Sequence, residues 1–221
     1  MKPPIVIFGA GDLGELAHFY LRTDSPYEVV AFTLDRAYIQ SPTFGGLPLV
    51  PFEDITTHYP PGEHAMFIAL SYSKLNAVRK EKFEAARALG YALPGYVSSR
   101  ASLLNEGRIG ANCFILEDNT VQPFVTIGDN VTLWSGNHIG HHSTIGDHTF
   151  LASHVVVSGG VRIGQQCFVG VNATLRDHIT VGDRCVLGAG TLLLEDAEPE
   201  GVYMGTGTER SRVPSTRLRG I

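Results

Sequence analysis

From Leu103 to Leu193 every sixth residue is Ile, Leu or Val, sixteen positions in a row without a slip in register. Glycine follows directly at 110, 128, 140, 146, 164, 170, 182 and 188. Neither the 3.6-residue period of an α-helix nor the alternation of an ordinary strand produces a period of six. An aliphatic residue, often a glycine, then four variable positions is the signature of a β-helix solenoid. Each six-residue unit supplies one short strand and one corner. Three units close one coil of a prism, whose inward aliphatic side chains stack about 4.8 Å apart from coil to coil. The fourth residue after each aliphatic one should also face inward. Cys113, Val131, Ser143, Val155, Val161, Cys167, Ala173 and Cys185 stand there, mostly small, as a narrow interior demands. The three cysteines are separated by multiples of eighteen residues. They read as small apolar residues stacked on one inner face rather than as reactive or disulfide-forming thiols.

Before the solenoid, Ile5-Val6-Ile7-Phe8 reads as a buried strand and runs straight into Gly9-Ala10-Gly11-Asp12-Leu13-Gly14. A helix pattern follows, with Leu13, Leu16, Ala17 and Tyr20 on one face, and a second strand over 28–33 ends at Leu34-Asp35. Strand, G-x-G-x-x-G, helix, strand and acid, in that order, is the arrangement that holds a nucleotide diphosphate. The glycines permit a tight turn and close approach, and the helix N-terminus offers unpaired N–H groups to the anion. The stretch 36–62 is rich in Pro and Gly, with a turn expected at Gly45-Gly46-Leu47-Pro48 and a short helix over 52–58. A third strand covers 65–70. Ser71 or Ser73 is placed to cap a helix over 75–89 that stops at Gly90, and its Lys and Arg residues read as a solvated face. The expected fold is therefore α/β plus all-β: a Rossmann-like βαβαβ domain over 1–95, a left-handed parallel β-helix over 96–200, and a C-terminal tail over 201–221. The tail carries Arg210, Arg212, Arg217 and Arg219, either as a solvated terminus or against a phosphate. Half of a dinucleotide-binding fold suits a mononucleotide, such as the diphosphate of a nucleotide sugar, better than it suits hydride transfer.

Composition narrows the partners. The net charge is −5 and only 18% of the residues are charged, so no basic footprint points to nucleic acid. No apolar stretch is long enough to insert in a membrane, and the first residues enter a strand without a signal-peptide pattern, so a cytoplasmic location is expected.

Six of the nine histidines lie in the repeat: His138, His141, His142, His148, His154 and His178. The stretch Gly136 to His142 is its most polar corner, and His141 and His142 should point outward there. An outward corner is where a neighbouring subunit packs in a cyclic trimer, and the clefts between subunits are natural ligand sites. Three readings stand: solvated corner residues; a shared metal site drawing on His138, His148 and His154; or His141 as a general base, for which an ordinary imidazole pKa of about 6.5 is suited.

From the GAGDLG loop through the unbroken hexapeptides, the chain resembles the bacterial nucleotide-sugar acyltransferases of the PglD/NeuD type. The resemblance implies a homotrimer that moves an acetyl group from acetyl-CoA to a nucleotide-linked amino sugar, a 4-amino-4,6-dideoxyhexose, in surface polysaccharide or glycan biosynthesis, with no metal. It carries the general base onto His141, with His142 beside it. It places the nucleotide sugar at Gly9, Gly11, Asp12 and Leu13, at Asp35 and Arg36, and near Ser71. It places acetyl-CoA along the solenoid near Phe150, Gly170, Val171, Gly188 and Ala189. The family usually has an acid directly after the catalytic histidine. This chain has His142, so either another carboxylate, Asp118 or Asp147, orients His141, or the base is weaker. The alternatives are a sugar O-acyltransferase of the sialic-acid type, a metalloenzyme like the γ-carbonic anhydrases, and a nucleotide-binding trimer without turnover. Sequence leaves open the nucleotide base (uracil, thymine or guanine), the sugar's stereochemistry and the length of the acyl group.

Overall fold

A computed structural model describes residues 2–208, 210, 212 and 215–217. The N-terminal part is a five-stranded sheet. Its strands are β1 (Pro4–Phe8), β2 (Glu28–Leu34), β3 (Thr43–Phe44), β4 (Leu47–Pro51) and β5 (Ala65–Ile68), in the order β3-β4-β2-β1-β5. All pairs are parallel except the β3–β4 hairpin. Helix α1 (Asp12–Thr23) crosses from β1 to β2, and Ala17 and Leu21 are its buried anchors against Ile5, Ile7 and Phe32. Leu13, Leu16 and Tyr20 pack half-buried on the same core, as the helical period requires. The sheet runs outward from β1 in both directions, so its switch point lies at the C-terminal ends of β1 and β5, where a doubly wound sheet opens a crevice.

Two elements differ from the sequence reading. The stretch 36–62 holds the expected short helix, here α2 (Ile55–His58), but also two strands, β3 and β4, that the sequence reading did not place. Gly45 and Gly46, at φ +56° and +80°, alone make the hairpin turn, because both central residues of such a turn need positive φ. Leu47 and Pro48 therefore belong to β4, which tolerates the proline because Pro48 sits on the short edge ladder with Thr43. Helix α3 (Ala77–Ala88) starts two residues late, behind Asn76 rather than a serine cap. It ends as expected at Gly90, whose φ of +88° and N–H donated to the Arg87 carbonyl close the last turn.

The β-helix follows the six-residue frame. Strands two residues long pair in parallel with those eighteen residues away, as Thr132–Leu133 does with Phe114–Ile115 and Phe150–Leu151. Three faces result, with seven, six and four strands. Every frame residue from Ile115 to Leu193 is buried, and so are the eight fourth positions named above, the three cysteines included. The cysteines are free, and burial pushes Cys113 and Cys167 up to about 12 and 11, so neither is a ready nucleophile. The aliphatic frame stops at Leu193, but the coil does not. Ala197 is buried and bridges to Val181, and Val202–Tyr203 adds a last rung beside Val186–Leu187, past residue 200.

The corners explain most of the histidines. The third residue after each frame position takes a left-handed conformation: Asn112, Asn130, His142, His148, His154, Asn172 and His178 all have φ between +51° and +62°. Asn, Asp and His tolerate that region best among residues with a side chain. Four of the six repeat histidines thus occupy positions that the corner geometry itself selects. His138 and His141 do not.

The sheet and the β-helix share one core. Ile5, Ile7 and Phe67 pack with Tyr96, Phe114 and Leu116 of the seven-stranded face. At one corner Asn112 accepts the Ile68 N–H at 2.8 Å and passes a hydrogen bond to Asn130, which meets the His148 ring at 3.0 Å. Helix α3 seals this corner, and its cations are not a solvated face. Arg79 is buried and donates to the carbonyls of Asn130 and His148 and to Thr132, while Lys80 reaches Gln166, Lys82 reaches Asp35 and Arg87 reaches Asp129. Burial pulls the Arg79 pKa down to about 9, so it remains cationic at neutral pH.

Candidate active site

The G-x-G-x-x-G loop has three glycines with three reasons. Gly9, at φ +127°, turns so close to β5 that an added Cβ would lie 2.4 Å from the Ala69 carbonyl oxygen. Gly14 lets α1 pack on the loop, since its Cβ would meet the Gly9 oxygen at 2.1 Å. A Cβ on Gly11 would meet nothing within 4 Å. Gly11 is also the N-cap of α1 and brings no side chain to its first N–H groups, which leaves them for an anion.

That open space is a cavity of about 1220 Å³ between the loop, the residues after β5 and the seven-stranded face of the β-helix. Pockets for one small ligand run from about 300 to 1,000 Å³, so there is room here for the reacting ends of two. The cavity brings together residues assigned to different ligands. Gly9, Gly11, Asp12, Leu13 and Ser71 line one side, and Phe150, Gly170, Val171 and Ala189 line the other. Gly188 is the neighbour of Ala189 in the chain and is not part of the wall. Gly170 also serves the stacking of coils, because a Cβ there would lie 2.6 Å from the Ala189 nitrogen.

Asp35 and Arg36 are not in the wall, although Leu34 is. Asp35 is engaged by Lys82 at 2.8 Å, and Arg36 by Asp54 at 2.7 Å. Sequence reasoning missed Tyr72, Trp134, Ser153 and Phe168, which also line the cavity. A signal for part of this set was present: Phe114, Phe150 and Phe168 each stand one residue before a frame position, on the outward side of the same face.

His141 and His142 are exposed and point outward at a corner, as expected. Their Nδ1 atoms face each other at 3.0 Å, the His141 N–H is donated to Gln122 Oε1, and an added Cβ on Gly159 would lie 2.7 Å from the His141 ring. Phe124 lies against the His142 ring, 4.7 Å between centroids. Neither candidate carboxylate orients His141. Asp118 pairs with Arg100, and Asp147 accepts the Asp129 N–H, each on a different corner. The histidines considered for a metal are dispersed too: His138 lies in a strand, while His148 and His154 turn separate corners and His148 is buried beneath α3. Among the described residues no three His, Cys, Asp or Glu side chains are grouped to hold a metal ion.

The cavity opens on the corner that joins the seven-stranded face to the six-stranded face, where Ser153 and Val171 precede the turn residues His154 and Asn172. His141 stands across the whole six-stranded face, on the next corner. One chain therefore carries the cavity and His141 on different edges of its prism. Of the tail arginines, Arg210, Arg212 and Arg217 are exposed, and Arg219 lies outside the described residues. Among the described residues no helix is long and apolar enough to cross a membrane.

Comparison with known proteins agrees with this architecture. Residues 107–140 and 127–159 match the bacterial transferase hexapeptide (six repeats), and residues 160–195 match the hexapeptide repeat of succinyl-transferase. The chain is similar in structure to the acetyltransferase domain of PglB from Neisseria gonorrhoeae FA1090 in complex with acetyl coenzyme A. The two are 23% identical over 93% of this chain and 97% of that one, with a TM-score of 0.82. It is similar to PerB from Caulobacter crescentus in complex with CoA and GDP-perosamine, at 22% identity over 91% and 94% of the two chains and a TM-score of 0.81. WeeI from Acinetobacter baumannii AYE follows at 18% identity, 90% and 94% coverage, and a TM-score of 0.76. No curated protein matches the sequence. Fold and repeat together define the class: a Rossmann-like domain docked on a hexapeptide β-helix, the architecture of these three structures.

Proposed function

We propose that the protein is an acetyl-CoA-dependent N-acetyltransferase acting on the amine of a nucleotide-linked 4-amino-4,6-dideoxy sugar, and that it works as a homotrimer. The observation that carries this reading is the single cavity that joins the GAGDLG loop and Ser71 to Phe150, Gly170, Val171 and Ala189. The ligands of two similar structures, acetyl coenzyme A on PglB and CoA with GDP-perosamine on PerB, support the donor and acceptor classes. A role in surface polysaccharide or glycan assembly, in the cytoplasm, follows from the same reading.

In this mechanism the diphosphate lies at the first turn of α1, held by backbone N–H groups that no side chain caps. The thioester lies along the edge formed by Gly170, Val171 and Ala189. The sugar amine attacks the thioester carbonyl carbon, and the C–S bond breaks as the tetrahedral intermediate collapses. The amine proton passes to His141 Nε2, and the CoA thiolate leaves and takes up a proton. Holding amine and thioester together is the larger part of the catalysis. His142 replaces an acid as orienting group: its Nδ1 accepts the Nδ1–H of His141, which leaves the Nε2 lone pair of His141 free. His141 meets the cavity only if a second copy brings its corner to the opening. Exposed Leu104, Phe124, Val156, Leu192 and Leu194 along the six-stranded face and its edge supply an apolar surface for that contact.

Thiol release from acetyl-CoA, measured against UDP-, dTDP- and GDP-linked 4-amino and 3-amino sugars, tests the reading. One member is expected to turn over. His141→Ala should lower the rate by about 10²–10⁴-fold. His142→Asn, whose amide oxygen accepts the same N–H and which suits the left-handed corner, should retain most of the rate that His142→Ala loses. Silence from the whole panel, with nucleotide bound, would rule out N-acetylation of these sugars and favour O-acylation.

A further inference from the structure

Between β5 and α3 the chain makes a left-handed turn that its sequence does not favour. Lys74, Leu75 and Asn76 follow one another at φ +50°, +51° and +63°. None is glycine, and L-residues avoid this region, most strongly in consecutive positions. Such a segment persists only where its surroundings determine it.

The surroundings are the β-helix. Asn76 is completely buried. Its Nδ2 donates to the Cys167 carbonyl at 3.0 Å, and its Oδ1 accepts from Arg79 Nη2 at 3.0 Å. Arg79 in turn holds the carbonyl of His148 at 2.8 Å and the Thr132 hydroxyl at 2.9 Å. The Asn76 N–H closes the turn on the Tyr72 carbonyl at 3.1 Å.

Tyr72 is what this turn presents. Its ring lies 4.6 Å from Phe168 and 5.1 Å from Phe150, and those two rings stack at 5.8 Å. All three line the cavity, yet Tyr72 remains half exposed. An aromatic wall with few hydrogen-bonding groups fits a flat apolar face. A phosphate does not suit it, whereas the C–H face of a deoxygenated pyranose does.

We propose that Tyr72, with Phe150 and Phe168, forms the surface on which the sugar ring of the substrate lies, and that Asn76 and Arg79 position Tyr72 by locking the left-handed turn to the β-helix. The inference rests on the nucleotide-sugar reading above and adds a specificity-determining residue and the device that places it. The N-terminal sheet thus supplies the phosphate site, while the β-helix sets the sugar site through an arm of the other unit.

Calorimetric titration separates the possibilities. The probes are UDP-, dTDP- and GDP-linked 4-amino-4,6-dideoxyglucose, each beside its free nucleoside diphosphate. For the nucleotide that binds, the sugar should add affinity in the wild type. Tyr72→Ala should remove about five- to tenfold of that affinity and leave the free nucleotide unchanged. Asn76→Gly adopts the same backbone conformation without strain but loses both side-chain bonds. It should fold, bind acetyl-CoA normally and show the same selective loss. Equal loss for sugar-linked and free nucleotide, or no loss in either variant, would overturn the assignment. No binding of any nucleotide to the wild type would instead overturn the functional reading, and this inference with it.

Discussion

Gly11, the N-cap of α1, and Gly14, in its first turn, lie three residues apart, and their neighbourhoods predict opposite outcomes for the same substitution. Gly14→Ala drives a Cβ to 2.1 Å from the Gly9 oxygen, a backbone atom with nowhere to move. It should cost about 1–3 kcal/mol of stability, read by urea denaturation. Gly11→Ala meets nothing within 4 Å. It should leave the midpoint unchanged while its methyl, standing in the cavity, weakens nucleotide binding. Equal effects on folding would mean that Gly11 is an ordinary turn residue. His148 gives a pH prediction. Burial lowers its pKa from 6.5 to about 4, so the unfolded chain takes up this proton well before the folded one. Between those values the unfolded state binds more protons, and stability should fall as pH drops from about 6.5 to about 4. His148→Asn, which continues the ladder of Asn112 and Asn130, should flatten that part of the curve of melting temperature against pH. An unchanged slope would assign the acid sensitivity elsewhere.

At the scale of elements, the period of six and the glycine loop were readable because each reflects a local steric demand repeated at fixed spacing. The corner histidines are readable in the same way, since the left-handed position recurs every six residues, and removing them leaves His141 as one that geometry does not explain. Helix α3 itself was readable, but the partners of its cations were not. Its Lys and Arg residues have the composition of a solvated face, and their partners are carbonyls and side chains of coils about 40 to 90 residues away. The β3–β4 hairpin was hidden by Pro48, and Tyr72 by a turn whose residues do not prefer their own conformation. The separation of His141 from Asp118 and Asp147 likewise needed the assignment of three corners. Arg79→Ala tests the clamp: it leaves buried carbonyls without a donor and should cost about 3 kcal/mol or more, measured by denaturation. A loss below about 0.5 kcal/mol, the range of surface substitutions, would show that α3 is held by its apolar face alone.

For the whole molecule, the decisive feature is that the cavity and His141 lie on different corners of one prism. The proposed cyclic assembly would resolve this, because a head-to-tail contact repeated three times would present the His141 corner of each copy to the cavity of the next. Sedimentation showing a stable monomer with full activity would defeat that arrangement. The most direct measurement is subunit complementation. His141→Ala and Gly11→Leu proteins are each expected to be inactive, the first without a base and the second with a blocked cavity. Unfolded together in equal amounts and refolded, they should recover about a quarter of wild-type thiol release, since random assortment pairs an intact cavity with an intact His141 at that fraction of contacts. Mixtures no more active than either variant alone, with mixed trimers confirmed, would contradict a site shared between copies.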